Sequence, residues 1–346
     1  MRKADPNSNL DILRSVAVLS VLLAHVLQVT AGCKFGEHLA YGIETYSLGS
    51  VGVLIFFVHT SLVLMQSLER ARTTRNGWAL IRWFYIRRAF RVYPLSVCVI
   101  LLSIALSIPP NAVGVPYRWQ GARWLLANLL LVQNIPGIPE VASPMWSLPY
   151  EVQMYLVLPV LFLLLTAASS RWRLAAIYIA ALLFCPLFRL LRYVPCFLTG
   201  VIAYKLLGHV RPRLPAWLWC PTVIGAVALY VLAPSSTLKE FLICLIIGVL
   251  IPRFRANHGP ISAVAAYIAK YSYGVYLCHT PILWLLYRQL AMPGWQRLIW
   301  LVLATAAASV GCYHAIERPL IEFGTRLANR VPARPREFAV EAVVAP

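Results

Sequence analysis

Arg14 and His25 lie eleven residues apart inside the first apolar segment of the chain, near residues 10 to 31. Eleven steps of 100° return an α-helix to nearly the same azimuth, and at about 1.5 Å per residue they separate the two side chains by about 16 Å along the axis. The pair shares one face at two depths. Arg14 is close enough to the start of the segment to reach lipid headgroups, so an interfacial anchor and a buried functional cation are both open readings of it. His25 falls well inside the apolar stretch, where ionisable residues usually face a protein interior or a wet cavity. A neutral imidazole bonded to a neighbouring helix is the structural alternative. With an unperturbed pKa of about 6.5, histidine offers a neutral base near neutral pH.

Three further constellations carry polar groups beside apolar segments. Arg88 and Arg91 form an RxxR pair, one helical turn apart on one side of a helix, a geometry suited to gripping phosphate oxygens. The alternative is a set of anchoring arginines, which is the preferred reading for Arg70, Arg72 and Arg75. The run from Met145 to Tyr155 holds Trp146, Ser147, Glu151 and Tyr155, with Glu151 and Tyr155 four apart on one helical face. A carboxylate there can bind a sugar hydroxyl, orient an imidazole or cap a helix start. Near the C-terminus Ser272, Tyr276 and His279 fall on one stripe, as an interhelical hydrogen-bond network or a cavity lining would require. His59 and His314 are lone histidines in apolar segments and read as packing residues. Glu317, Arg318 and Pro319 read as an ion pair and a helix stop closing the last span.

The elements that must position these groups are membrane helices. The chain of 346 residues is 60% hydrophobic and 12% charged, with a mean hydropathy of +0.71, which excludes an ordinary soluble globule. The net charge of +19 rests on arginine, since only Lys3, Lys34, Lys205, Lys239 and Lys270 are lysines. It reads as topology and lipid contact, with no motif for nucleic acid. The cysteines lie mostly in apolar runs and make no CxxC pair, so neither a disulfide framework nor a metal site is expected. Arg2 and Lys3 precede an apolar stretch ending in Cys33, which imitates a secretory signal; the polar residues at 14 and 25 argue for a retained span.

Apolar windows fall near 10–31, 48–68, 92–108, 123–136, 146–168, 173–190, 192–207, 216–234, 238–252, 264–290 and 295–316. Segment 123–136 is short for a span, and 173–207 is broken by Pro186 and Pro195, so one window at least is expected to be half-inserted. Residues 69–91 read as a loop with seven arginines against Glu69, whereas residues 32–47 carry Lys34 against Glu37 and Glu44, so the former is placed in the cytoplasm. Arg2 and Lys3, and Arg318, Arg326, Arg330, Arg334 and Arg336, put both termini on that side, which requires an even number of spans. The expectation is an all-α polytopic membrane protein with about ten transmembrane helices and no separate soluble domain. A membrane domain over 1–324 is followed by a disordered cytoplasmic tail, 325–346.

These segments, in this order, resemble the bacterial integral-membrane acyltransferase type 3 family, which includes O-acetyltransferases of lipopolysaccharide and exopolysaccharide and macrolide acyltransferases. The matching residues are Leu10, Asp11, Leu13, Arg14 and His25; Gly52, Val53, Phe56 and Phe57; Arg88 and Arg91; Trp146, Ser147, Leu148, Glu151, Gln153 and Tyr155; and Ser272, Tyr273, Tyr276, Leu277 and His279. The resemblance runs to about residue 323. Departures lie at Ile12, where the family has glycine, at Leu54, where aspartate is common, and at His59, Thr60 and Ser61, where a Ser-Gly step normally ends the second motif. Those in the second span bear on acceptor specificity. The chain looks like the membrane-only form, without the esterase-like domain that some relatives append.

The resemblance implies a membrane O-acyltransferase that takes acyl-CoA, most often acetyl-CoA, as donor, with no tightly bound cofactor. The implied acceptor is a carbohydrate or glycolipid hydroxyl, and the implied location is the bacterial cytoplasmic membrane. His25 is then the base, Arg88 and Arg91 hold the donor phosphates, Arg14 lies on the donor path, and Glu151 orients the imidazole or acceptor. Trp146, Ser147, Tyr155, Tyr276 and His279 are expected to line the acceptor cavity. A proton-coupled transporter or glycan flippase, with His25, Glu151 and His279 as a proton relay, is the rival reading.

Overall fold

The computed structural model describes residues 8–30, 45–110, 118–166 and 170–331. The expectations for Arg2, Lys3, Cys33, the 32–44 loop and the tail beyond 331 lie outside the described residues. The described chain is helical: α1 (Ser8–Thr30), α2 (Thr45–Arg72), α3 (Gly77–Ala105), α4 (Ala122–Leu129), α5 (Leu148–Leu164), α6 (Ser170–Phe184), α7 (Val194–Leu207), α8 (Trp219–Leu232), α9 (Thr237–Leu250), α10 (Pro260–Trp284), α11 (Gly294–Cys312) and α12 (Arg318–Asn329). It is an all-α polytopic membrane protein. With no water in hydrocarbon to satisfy backbone groups, apolar chain must bond to itself along each segment.

Among the described residues five helical stretches are long and apolar enough to cross a bilayer: Ser8–Thr30, Thr45–Arg72, Gly77–Ala105, Ser143–Leu164 and Gly294–Asn329. The short window 123–136 yields only α4, eight residues long. Helices α7, α8 and α9 have fourteen residues each, about 21 Å of rise, less than the roughly 30 Å hydrocarbon core.

Helices α1 and α2 form the centre, α1 packing on α2 and α10, and α2 on α7. Glycines set the spacing: a Cβ built on Gly52 would meet Val21 Cγ2 at 2.8 Å, and the Ala17 carbonyl more closely still, while one on Gly49 would meet Ala24 Cβ at 3.3 Å. Going up α1 from Ala17 to Ala24 therefore means going down α2 from Gly52 to Gly49, so the two run antiparallel. Small residues let the backbones approach, which is how helices gain packing energy where no water drives them together.

Two expectations need correction. The arginine-rich stretch 69–91 is helix on both sides of a short link, since α2 runs to Arg72 and α3 starts at Gly77. Its aromatic residues explain why: Leu80, Trp83 and Phe84 bury one face at helical spacing. Arg87 lies over the Trp83 ring at 4.7 Å, and Arg88 over Phe84 at 5.9 Å. Pro319 does not stop the last helix either. A π-turn over Tyr313–Glu317 joins α11 to α12, and the wider register avoids the clash that a proline ring makes with the carbonyl four residues earlier. Helix α12 runs past the expected boundary at 324 to Asn329, because Phe323 packs on Phe90 at 5.4 Å and Ala328 is buried. Arg75 meets Asn329 at 3.4 Å, so the arginines of the α2–α3 link and those of α12 gather at one end of the bundle.

Gly52→Val is expected to cost about 1–3 kcal/mol by overpacking, read as a lower Tm of the detergent-solubilised protein. Gly225→Ala, where a Cβ meets nothing within 4 Å, should leave Tm unchanged or slightly raised.

Candidate active site

Near the arginine end the bundle encloses a cavity of about 100 Å³ between α1, α2, α3, α5 and α10. Arg14, His59, Thr60, Arg88, Arg91, Ser147, Glu151, Tyr155, Ser272, Tyr273 and Tyr276 line it, together with Phe56, Phe57 and aliphatic residues. Residues from five helices, as distant in sequence as Arg14 and Tyr276, thus converge on one polar chamber inside an apolar bundle.

Its three guanidinium groups are held differently. Arg14 donates through Nε to Ser272 Oγ at 2.6 Å, and Ser272 donates onward to the Ala269 carbonyl at 2.8 Å. Arg91 pairs with Glu317 at 2.6 Å and lies 5.5 Å from the Tyr273 ring. Arg88 lies on the Phe84 ring, and its buried Nε has no hydrogen-bond partner among the described residues. The RxxR spacing does place both arginines on the chamber side of α3. Arg91, however, already has a carboxylate, and Arg14 a serine hydroxyl, which leaves Arg88 as the guanidinium of the chamber with an unpartnered Nε among the described residues. Glu317 is 2% exposed, turned inward by the π-turn; its expected ion pair with Arg318 is replaced by Arg318 with Glu322 at 2.9 Å.

Glu151 accepts hydrogen bonds from the Tyr155 hydroxyl and, at 3.4 Å, from Thr60. It makes no hydrogen bond to His25, so it does not orient that imidazole. The Val21 carbonyl does: it lies 2.9 Å from His25 Nδ1. A carbonyl only accepts, so Nδ1 carries the proton and Nε2 keeps its lone pair. Among the described residues nothing bonds Nε2. His279 repeats the arrangement, with Nδ1 at 3.0 Å from the Val275 carbonyl. The two rings meet edge to face, centroids 4.9 Å apart.

The histidines do not line the chamber. Between them and it stands Tyr276, which lines the chamber while its ring lies 6.3 Å from that of His279 and 5.9 Å from Phe56. Its hydroxyl donates to the Pro144 carbonyl at 2.5 Å and accepts from Ser147 Oγ at 2.7 Å. With Arg14 on Ser272 and His25 on His279, α10 runs in the same direction as α1. The order along the bundle is therefore Arg88, then Arg91 and Arg14, then Tyr276, then the histidine pair.

Trp146 also stays out of the chamber, packing on Tyr150 at 6.3 Å and Tyr193 at 5.6 Å. His59 is the reverse case: read as a packing residue, it lines the cavity. Its signal was the stripe Phe56, His59, Thr60, Val63, spaced i, i+3, i+4, i+7 along α2, all of which face the chamber. His314 sits 3.4 Å from the Tyr271 hydroxyl and is exposed, so it is not the buried packing residue that its apolar segment suggested.

The fold and this chamber define a helical membrane protein built around a buried, arginine-rich cavity, with a histidine pair beyond Tyr276. A family model described as Acyltransferase domain matches residues 7–316, and the chain belongs to that family. No curated protein and no solved structure matches it.

Removing Glu317 leaves Arg91 inside the bundle without its carboxylate. Glu317→Ala is expected to destabilise by about 3–5 kcal/mol, read as a fall in Tm, and the double variant Arg91→Leu, Glu317→Ala should recover much of the loss.

Proposed function

We propose that this acyltransferase is an O-acyltransferase that moves an acyl group, acetyl in the first instance, from acyl-CoA to a hydroxyl of a cell-surface or secreted carbohydrate or glycolipid. The observation that carries the reading is the order of groups along the bundle: guanidinium groups at one end, and His25 with an unbonded Nε2 about 16 Å beyond Arg14. Acyl-CoA needs that layout, because its phosphates and its thioester lie at opposite ends of an uncharged arm.

The chamber is smaller than the roughly 300–1,000 Å³ that enclose a drug-sized ligand, so the nucleotide end of the donor stays outside it. Arg88 binds phosphate oxygens, Arg14 lies beside the start of the arm, and the arm runs past Tyr276 towards His25. At His25, Nε2 takes the proton of the acceptor hydroxyl as its oxygen attacks the thioester carbonyl. The carbon–sulfur bond then breaks, and the departing thiolate receives the proton held by the imidazolium. The Val21 carbonyl fixes the tautomer throughout and favours the imidazolium once it forms. In this reading the arginine end faces the cytoplasm of a bacterium, both termini lie there, and the acceptor approaches from the other side.

Membranes containing the protein, labelled acetyl-CoA and candidate envelope glycans should yield an alkali-labile ester. His25→Ala is expected to fold and insert normally yet lose about 100-fold or more of the transfer rate. Arg88→Ala should raise KM for acetyl-CoA by about tenfold, or more, as loss of a charge-assisted contact implies, and leave KM for the acceptor unchanged. Substrate flux without any ester formed would contradict the proposal and favour a transporter.

A further inference from the structure

We infer that His59 is a donor-binding residue, holding the amide-bearing arm of the acyl-CoA between its phosphates and its thioester. The inference rests on the acyl-CoA reading and adds to it a residue of the stretch His59, Thr60 and Ser61, which stands where a Ser-Gly step is usual.

Three observations meet at this side chain. His59 is 6% exposed and lines the chamber. Among the described residues its ring takes no hydrogen bond, whereas its neighbour Thr60 is engaged with Glu151. A polar group that deep ordinarily has a partner, because leaving it without one costs free energy. Its depth follows from the antiparallel register of α1 and α2. Gly52 sits against Ala17 and Val21, and His59 lies two turns further down α2, level with the turn of α1 that holds Arg14.

That level decides which part of the donor His59 meets. Arg88 is on the side of Arg14 away from Tyr276, and the thioester must lie beyond Tyr276 to reach His25. What crosses the level of His59 is the stretch of donor between them, an uncharged chain with two amides. Each amide brings an N–H and a carbonyl into a space without bulk water. Arginine only donates and an ionised glutamate only accepts, but a neutral imidazole does both.

The test uses detergent-purified protein and competition against labelled acetyl-CoA, with CoA and 3′,5′-ADP as competitors. The first carries head and arm, the second the head alone. His59→Leu, which fills the space without hydrogen bonding, should raise the inhibition constant of CoA up to about tenfold, the weight of one buried hydrogen bond, and leave that of 3′,5′-ADP unchanged. Arg88→Ala should weaken both. His59→Asn, which still donates and accepts, should recover most of the CoA affinity. Equal weakening of both competitors by His59→Leu would place His59 on the phosphates and overturn the inference. So would a His59→Leu protein of unchanged Tm that binds CoA as the wild type does. If the wild-type protein binds neither acetyl-CoA nor CoA, the donor reading itself fails; if it binds them and only the His59 variants are silent, that reading stands and this one falls.

Discussion

Guanidinium groups inside an apolar bundle are the constraint on which the rest of this structure depends. A charge taken out of water is tolerated only where it is paired and hydrogen-bonded. Arg91 meets that demand with a carboxylate and Arg14 has a serine hydroxyl, whereas Arg88 has an aromatic face and an Nε without a partner among the described residues. Two of these contacts tie down another helix, and that of Arg88 stays within α3. Arg14 binds α1 to α10, Arg91 binds α3 to the turn before α12, and Glu151 with Thr60 binds α5 to α2. The chamber exists because these ties converge, and apolar packing elsewhere only surrounds it.

The same economy separates binding from chemistry. Arginines beside a basic histidine would oppose the imidazolium that general-base catalysis creates, since like charges in low dielectric repel strongly. The bundle keeps them apart by placing Tyr276 and Phe56 between the chamber and the His25–His279 pair. Tyr276 also has its hydroxyl held by the segment ahead of α5, so the divide is tied to the helix that carries Glu151.

Much of this was legible in the sequence. The shared face of Arg14 and His25, the RxxR pair on one side of α3 and the Ser272–Tyr276–His279 stripe all follow from the 100° period, and the structure realises each. What the period cannot give is the partner across the bundle. Glu317 lies 226 residues from Arg91, and its neighbour Arg318 offered a nearer but wrong mate. His25 and His279 were both singled out, yet only packing shows that their rings touch. The link between α2 and α3 was misread for another reason: hydropathy averages over arginines and aromatics, and so hides an amphipathic helix whose cations lie on its own rings. Glu151 makes no hydrogen bond to His25, because a backbone carbonyl, invisible as a motif, already holds that imidazole.

The central claim is that one donor spans the arginine chamber and His25. A structure of the protein with a non-reactive thioether analogue of acetyl-CoA tests it most directly. The account predicts phosphate oxygens within hydrogen-bond distance of Arg88, and the sulfur end beyond Tyr276, next to His25 Nε2. An analogue bound with its sulfur end on the arginine side of Tyr276, or bound outside the chamber altogether, would contradict it.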